Sequence, residues 1–490
     1  METERPNVLL IISDQQRYDT LGCAGQTRIS TPNIDRLAEN GMFFENAFCT
    51  SPICTPSRTS ILSGLYPHTH GQVANHQCRP GCDQMLLSKD VKLIADYLKP
   101  EGYRCGYAGK WHLGTGYDRR GFSDLKAAHF NFDVDNPNQN EILVQAKKLG
   151  IDITGSHQGG IEPVPDKFIK RISYGPSLLG LADHPASLMC DRSVEFVNRA
   201  NEQESPFMLV WSTHEPHPPF TCPEPFFSMY DPEDMVLPES RRDEDTAAYL
   251  IERRLGGHLP LVSHLSDDEL RLMWTGYFGS VSFVDFLVGR LVSALHQNNL
   301  FDNTLIIFTS DHGDLTGSHG LNRKGAAMFE ELVHVPCVIH PPRREVNSGS
   351  CAELISQVDF MPTILEYCGV DVPDGLHGTS ISSLIEGKSG PVREGVSAEY
   401  HSGGWAEDPL VPLRMWRTRE AKYVESQRGD SEYYDLANDP QERHNLIDVP
   451  DAQIQIDEMK SALYRWLAST GDTWPEVARP PEGFLKSREI

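Results

Sequence analysis

Basic residues are scarce for a chain so rich in acidic ones. Forty-four Lys and Arg stand against 69 Asp and Glu, a formal net charge of −25 at pH 7. That imbalance argues against a nucleic-acid partner, whose phosphates require a basic footprint. An anionic small molecule still fits, because a local cluster of Lys, Arg, His and metal overrides the global sign. No apolar run reads as a membrane span, which predicts no membrane partner. The start, Met1-Glu2-Thr3-Glu4-Arg5-Pro6, lacks the basic lead, apolar stretch and small-residue cleavage site of a secretory signal. The expectation is therefore a cytoplasmic protein. Cysteines are few and odd in number, eleven, and without a signal peptide they read as reduced, mostly buried thiols. Cys78 and Cys82 suggest a metal or disulfide pair, but no second pair stands at zinc-finger spacing. Internal repeats and low-complexity tracts are absent, and the oligomeric state is not legible.

What is present is ordinary globular material, 39% hydrophobic and 23% charged over 490 residues, long enough for a large α/β unit and a smaller one. Val8–Ser13, Phe207–Ser212 and Leu305–Thr309 are short continuous apolar runs, as strands buried on both faces are. Each ends in a polar cluster, and in open α/β sheets ligands bind at the carboxyl ends of strands. Thr31 and Pro32 open a helix as N-cap and first residue. Val91–Leu98 is amphipathic, and Tyr103–Gly109 returns as a strand. Leu270–Leu295 reads as a long amphipathic helix anchored by Trp274, Tyr277, Phe283, Phe286 and Leu287. Residues 115–190 are loop-rich. Beyond about residue 390, short strands at 395–400, 413–418, 422–426 and 433–436 precede a closing helix with Ile454, Met459, Leu463 and Trp466 on one face. The predicted class is α/β: a large mixed β-sheet sandwiched by helices over 1–390, and a smaller C-terminal α+β subdomain over 391–490.

The chemistry centres on Cys54-Thr55-Pro56-Ser57-Arg58, which runs into Leu62-Ser63-Gly64. This segment resembles the site at which sulfatases convert cysteine to formylglycine, whose aldehyde adds water to form a geminal diol that attacks sulfur. Asp14 follows the first strand as the first metal aspartate of that family does. Gly109-Lys110-Trp111-His112-Leu113-Gly114, His214-Glu215-Pro216-His217, Ser310-Asp311-His312-Gly313 with Ser318-His319-Gly320, Lys324, and the tail Tyr433-Tyr434-Asp435-Leu436 through Asn445-Leu446 follow in the family's order. Together they identify a sulfatase of the alkaline-phosphatase-like superfamily over about residues 7–447. The resemblance implies one divalent metal, calcium first and manganese as rival, held by Asp14, Asp311, His312, the modified Cys54 and Gln15. It implies a small sulfated substrate and a formylglycine-generating maturation enzyme as partners. Lys110, His214, His217 and Lys324 are the expected substrate contacts. Arg58, one helical turn beyond Cys54, is expected to hold the modified side chain. His112 and His217 are expected to move protons near neutral pH.

Plainer alternatives exist for each. Asp14 and Asp311 could be helix caps, Lys110 a solvated loop charge, and His217 an exposed turn residue. His68, His70 and His76 read as packing or rim residues, and His319 and Asn322 as shaping the loop before Lys324. Two departures from the commonest family pattern stand out: Gln15 where many members have a second aspartate, and His312 where many have asparagine. An imidazole suits Mn or Zn better than Ca. Choline-sulfatase-like enzymes and phosphonate monoester hydrolases resemble this variant, so a phosphonate monoester or phosphodiester is the alternative substrate. A catalytically silent binder of sulfated ligands would lack the nucleophile, a lysine or a histidine, and here all are present.

Overall fold

A computed structural model describes residues 5–75, 87–113, 120–122, 124–128, 174–177, 179–200, 205–243, 262, 265–342, 348–390, 392–401 and 411–474. His76, Cys78, Cys82 and most of the loop-rich stretch 115–190 lie outside them. The strands are β1 Asn7–Ser13, β2 Met42–Phe48, β3 Arg104–Lys110, β4 Asp124–Ala128, β5 Tyr174–Pro176, β6 Phe207–Ser212, β7 Phe220–Cys222, β8 Thr304–Ser310, β9 Cys337–His340, β10 Gly349–Ser356, β11 Val396–Tyr400, β12 Leu413–Arg417, β13 Ala421–Ser426 and β14 Glu432–Asp435.

Eight of them form one sheet in the order β10-β2-β9-β8-β1-β6-β3-β4. It is mixed because β9 runs antiparallel to both β8 and β2. The central strands β1, β6 and β8 are buried along their whole length, which explains their uninterrupted apolar sequences. One face, with Val8, Leu10 and Ile12, packs against the helices Cys54–Ser63 and Phe360–Tyr367. The other, with Leu9 and Ile11, packs against Pro185–Ala200 and Asp267–Gln297. Ser13 pairs with Ser310, and Ile12 with Ser212. The three strands therefore stop at one level and deliver Asp14, Thr213 and Asp311 to the same rim.

Several local expectations need correction. The helix Asp267–Gln297 is long and apolar enough to cross a membrane by length and composition, contrary to the sequence reading, yet most of it is buried within the fold. Its hydropathy is that of a core helix touching two layers. Phe286, expected as an anchor on it, is 36% exposed. The helix Pro32–Glu39 is not capped by Thr31, whose hydroxyl bonds the Asp35 carboxylate instead. Asp285 of the long helix accepts the Asn33 and Ile34 N–H groups (3.0 and 2.8 Å).

Strands β11–β14 form a separate antiparallel sheet. The helix Gln453–Thr470 covers one face, with Ile456, Met459 and Leu463 against Trp416, Tyr423 and Tyr433. Ile454, predicted on that face, is 71% exposed. Ala398, Met415 and Val424 of the same sheet join the main hydrophobic core.

Candidate active site

The rim where β1, β6 and β8 end is assembled by hydrogen bonds that reach across the chain. Asp14 and Asp311 are fully buried, and neither is the N-cap of a described helix. Gln15 adopts a left-handed φ of 67°. Its N–H donates to Asp311 Oδ1 (3.0 Å), and its carbonyl accepts from the Tyr277 hydroxyl (2.8 Å), which itself accepts the Arg17 N–H (2.9 Å). Two partners, one of them anchored in turn by Arg17, thus hold a conformation that a non-glycine residue rarely adopts.

A helix starts at Cys54 and runs to Ser63. Pro56 sits in its first turn, where a missing N–H costs no intrahelical bond. Thr55 N–H donates to Asn75 Oδ1 (3.0 Å). The Ser57 hydroxyl lies beside the Asp311 carbonyl and 2.7 Å from Gln357 Oε1, while Gln357 Nε2 donates to the Ser310 carbonyl. The start of this helix is thereby tied to the end of β8.

Cys54 Sγ is the point of convergence. It lies 3.3 Å from His312 Nε2, 2.9 Å from Lys324 Nζ, 3.6 Å from Lys110 Nζ and 3.9 Å from Asp14 Oδ1. One ligand atom from each of Asp14, Cys54, Asp311 and His312 falls within 4.8 Å of the others, and all four residues are buried. His312 Nδ1 lies 2.8 Å from the Gly313 carbonyl. A carbonyl only accepts, so Nδ1 carries the proton and Nε2 turns its lone pair into the cluster, as a metal-ligating imidazole does. Two carboxylates and an imidazole lone pair, dry and convergent, fit a divalent cation.

With the unmodified cysteine at position 54, the Arg58 guanidinium donates to Asp311 Oδ2 (2.8 Å), Asp14 Oδ2 (3.0 Å), Ser212 Oγ (2.6 Å) and the Lys110 carbonyl (3.2 Å). It bridges the two carboxylates, whose spacing it sets. Lys110 is buried and its ammonium contacts the Asp14 carboxylate, so it is not a solvated loop charge. Gly109 delivers it: with φ of 105°, an added Cβ there would sit 1.8 Å from the Ser212 carbonyl oxygen, which only glycine avoids. Gln15 Oε1 accepts from Lys324 Nζ (2.6 Å), and Gln15 Nε2 donates to the buried Asp314 carboxylate.

The charges decide the protonation states. Burial opposes ionisation of Asp14, but the Lys110, Lys324 and Arg58 charges outweigh it and hold the carboxyl well below its ordinary value. Burial and Asp14 push the Cys54 thiol up; the Lys110 and Lys324 ammonium groups overcome them and hold it well below the usual thiol value. Burial lowers His112, only partly offset by its hydrogen bond with Cys54. Burial, then Lys324 and His214, push His217 well below an ordinary imidazole. His217 is not an exposed turn residue; its Nδ1 lies 2.6 Å from the Pro218 carbonyl, and its ring centroid is 4.5 Å from that of the half-buried His214.

The structure thus gathers Asp14, Gln15, Cys54, Arg58, Lys110, Asp311, His312 and Lys324 in direct contact, with His112 beside Cys54 and His217 beside the lysines. His68 and His70 stay apart: His70 lies 3.1 Å from Ser60 Oγ, and His68 lies against Glu399. Sequence reading missed Asn75, Ser212, Tyr277, Asp314 and Gln357. Only Ser212, the last residue of β6, and Asp314, three beyond Asp311, carried a positional signal. A cavity of about 430 Å³ between Tyr18, Pro238, Trp274 and Phe278 includes none of the converging groups.

The Sulfatase family model matches residues 6–370, and the model of the N-sulphoglucosamine sulphohydrolase C-terminal region matches residues 317–468. An uncharacterized sulfatase, YidJ, of Escherichia coli (strain K12) is 32% identical over 94% of this chain and 86% of its own length. An arylsulfatase of Clostridium perfringens is 29% identical over 98% of each chain. Among solved structures, the phosphonate monoester hydrolase of Agrobacterium radiobacter superposes with a TM-score of 0.77 at 25% identity, covering 95% of this chain and 96% of that one. With the family model spanning most of the chain and the convergence on Cys54 in place, this protein belongs to the sulfatase family.

Proposed function

We propose that this sulfatase hydrolyses a sulfate monoester of a small molecule with formylglycine at position 54 as nucleophile. One observation carries the reading: two ammonium groups, two carboxylates and a metal-ready imidazole converge on the side chain of Cys54. In this reading a maturation enzyme makes the aldehyde, whose hydrate provides the attacking hydroxyl. Asp14, Asp311, His312 and residue 54 hold a divalent cation, calcium by family expectation with manganese as rival. Gln15 Oε1, already engaged by Lys324, has one lone pair left for it. When bound, the cation polarises the sulfuryl oxygens.

The protein's own groups do the rest. Lys110 and Lys324 set two ammonium charges where the sulfate's negative charge must rest. Arg58 bridges Asp14 and Asp311 and sets their spacing. His112, neutral because it is buried, accepts a proton beside residue 54. His217 is also neutral at rest, with Nδ1 committed to Pro218 and Nε2 left to carry a proton. Burial depresses its pKa first and the Lys324 charge second; the negative charge of an incoming sulfate offsets the second and favours the protonated form that serves the leaving oxygen as acid. His214, against the His217 ring, lines the leaving-group side.

The imidazole at 312 and the likeness to a phosphonate monoester hydrolase favour one second reading, a phosphonate monoester or phosphodiester substrate at the same site. Parallel turnover of a sulfate monoester and a phosphonate monoester by the matured enzyme separates the two. Higher kcat/KM for sulfate supports the main reading; higher kcat/KM for phosphonate replaces it.

A further inference from the structure

Asp314 has no part in the reading above, yet it is fully buried and saturated with donors. Its Oδ1 accepts from Thr316 N–H (2.7 Å), Thr316 Oγ1 (3.0 Å) and Arg323 N–H (3.1 Å). Its Oδ2 accepts from Gln15 Nε2, and Gln15 Oε1 accepts from Lys324 Nζ at 2.6 Å. Lys324 Nζ stands 2.9 Å from Cys54 Sγ. The carboxamide of Gln15 is therefore clamped between an acceptor-only group and a donor-only group. Only one of its two orientations satisfies both. The flipped amide sets its oxygen against the carboxylate and its NH2 against the ammonium.

We propose that Asp314 is a positioning residue for the sulfate-binding ammonium: its carboxylate fixes which end of Gln15 faces Lys324 and so holds Lys324 against residue 54. This rests on the reading of Lys324 as a sulfate contact. Asp314 also accepts the N–H of Arg323, so it fixes the backbone immediately before Lys324 as well as its side-chain partner. A neutral amide at position 314 breaks the arrangement. In Asp314→Asn the amide oxygen stays with the three donors from Thr316 and Arg323, and the new NH2 faces Gln15. Gln15 then turns over and presents its own NH2 to Lys324. Moving the negative charge to position 15 repairs this, because a carboxylate there accepts from both the amide at position 314 and the Lys324 ammonium. Gln15→Glu alone sets two carboxylates against each other.

The test uses four full-length proteins: unaltered, Asp314→Asn, Gln15→Glu and the double variant. Each is assayed for affinity for inorganic sulfate by calorimetry, kcat/KM on an activated aryl sulfate, and unfolding midpoint. Each single change is expected to weaken sulfate affinity and kcat/KM by about tenfold or more, the scale of one charge-assisted hydrogen bond. The double variant is expected to return to within about threefold of the unaltered protein. A double variant as weak as the worse single, or unchanged sulfate affinity in Asp314→Asn, overturns the proposal. If Asp314→Asn does not fold, Gln15→Met carries the same test with Asp314 intact: about a tenfold loss of sulfate affinity supports the relay, and no loss refutes it. Because sulfate binding is read without turnover, an enzyme that hydrolyses no sulfate ester but shows the charge-swap pattern counts against the proposed function alone.

Discussion

Replacing Arg58 by Met keeps much of the side chain's volume and removes its charge. The structure fixes what is left behind. Asp14 retains the Lys110 ammonium, whereas Asp311 retains the N–H groups of Gln15 and His312 and the His312 ring at 3.5 Å, with no lysine paired to it among the described residues. Arg58, Asp14 and Asp311 have side chains at most 1% exposed, so water does not replace the lost donors. Breaking a buried ion pair from one side costs about 3–5 kcal/mol. At about 2.1 cal/mol/K per residue, a 490-residue chain unfolds with an entropy of about 1 kcal/mol/K, so the midpoint falls by roughly 3–5 °C. A bound divalent cation takes over part of the charge compensation and shrinks that fall. The assay is calorimetric unfolding of both proteins, once in chelator and once with saturating metal. A loss below about 1 kcal/mol in chelator, or equal losses with and without metal, refutes the view that Arg58 balances the two carboxylates.

Three further outcomes are expected. His217→Ala loses about 10²–10⁴ in rate on an alkyl sulfate and much less on an activated aryl sulfate, checked by kcat/KM across leaving groups; equal losses remove His217 from the acid role. Asp311→Ala loses stoichiometric metal by elemental analysis together with activity, and an active, metal-free variant contradicts the cation site. His68 is half-buried beside Glu399, Asp472, Arg414, His377 and His401; burial lowers its pKa, but the Glu399 hydrogen bond and charge and then Asp472 raise it overall above 6.5. A raised folded value stabilises fully below pH 6.5 and is lost as pH rises through that folded value, so the stability deficit of His68→Gln is largest in acid and shrinks toward alkaline pH; a pH-independent deficit refutes the pairing.

The sheet and its rim were legible because physics writes them locally. A strand buried on both faces must be apolar throughout, so β1, β6 and β8 show as short continuous runs ending in polar residues. The ordered motifs then located Asp14, Cys54, Lys110, Asp311, His312 and Lys324. Proximity along the chain told less. Arg58 lies one turn from Cys54, and nothing local showed that it also bridges carboxylates 44 and 253 residues away. Thr31 looked like a cap, but Asp285 supplies it from the middle of another helix. Tyr277 and Gln357 hold the site through pairs of hydrogen bonds to residues far along the chain, and Asn75 through one to Thr55, and none of these leaves a periodicity or motif. Ile454 and Phe286 were assigned to buried faces by spacing alone, and neighbouring apolar residues took those places.

The central claim is that position 54 acts as formylglycine. The most direct measurement is the intact mass of the peptide spanning Cys54 in enzyme prepared with and without a maturation system, set beside turnover of a sulfate ester by the same preparations. The account predicts a mass corresponding to CH₂SH replaced by CHO, in a fraction that rises and falls with activity. Full turnover by protein carrying only the unmodified thiol at position 54 contradicts it.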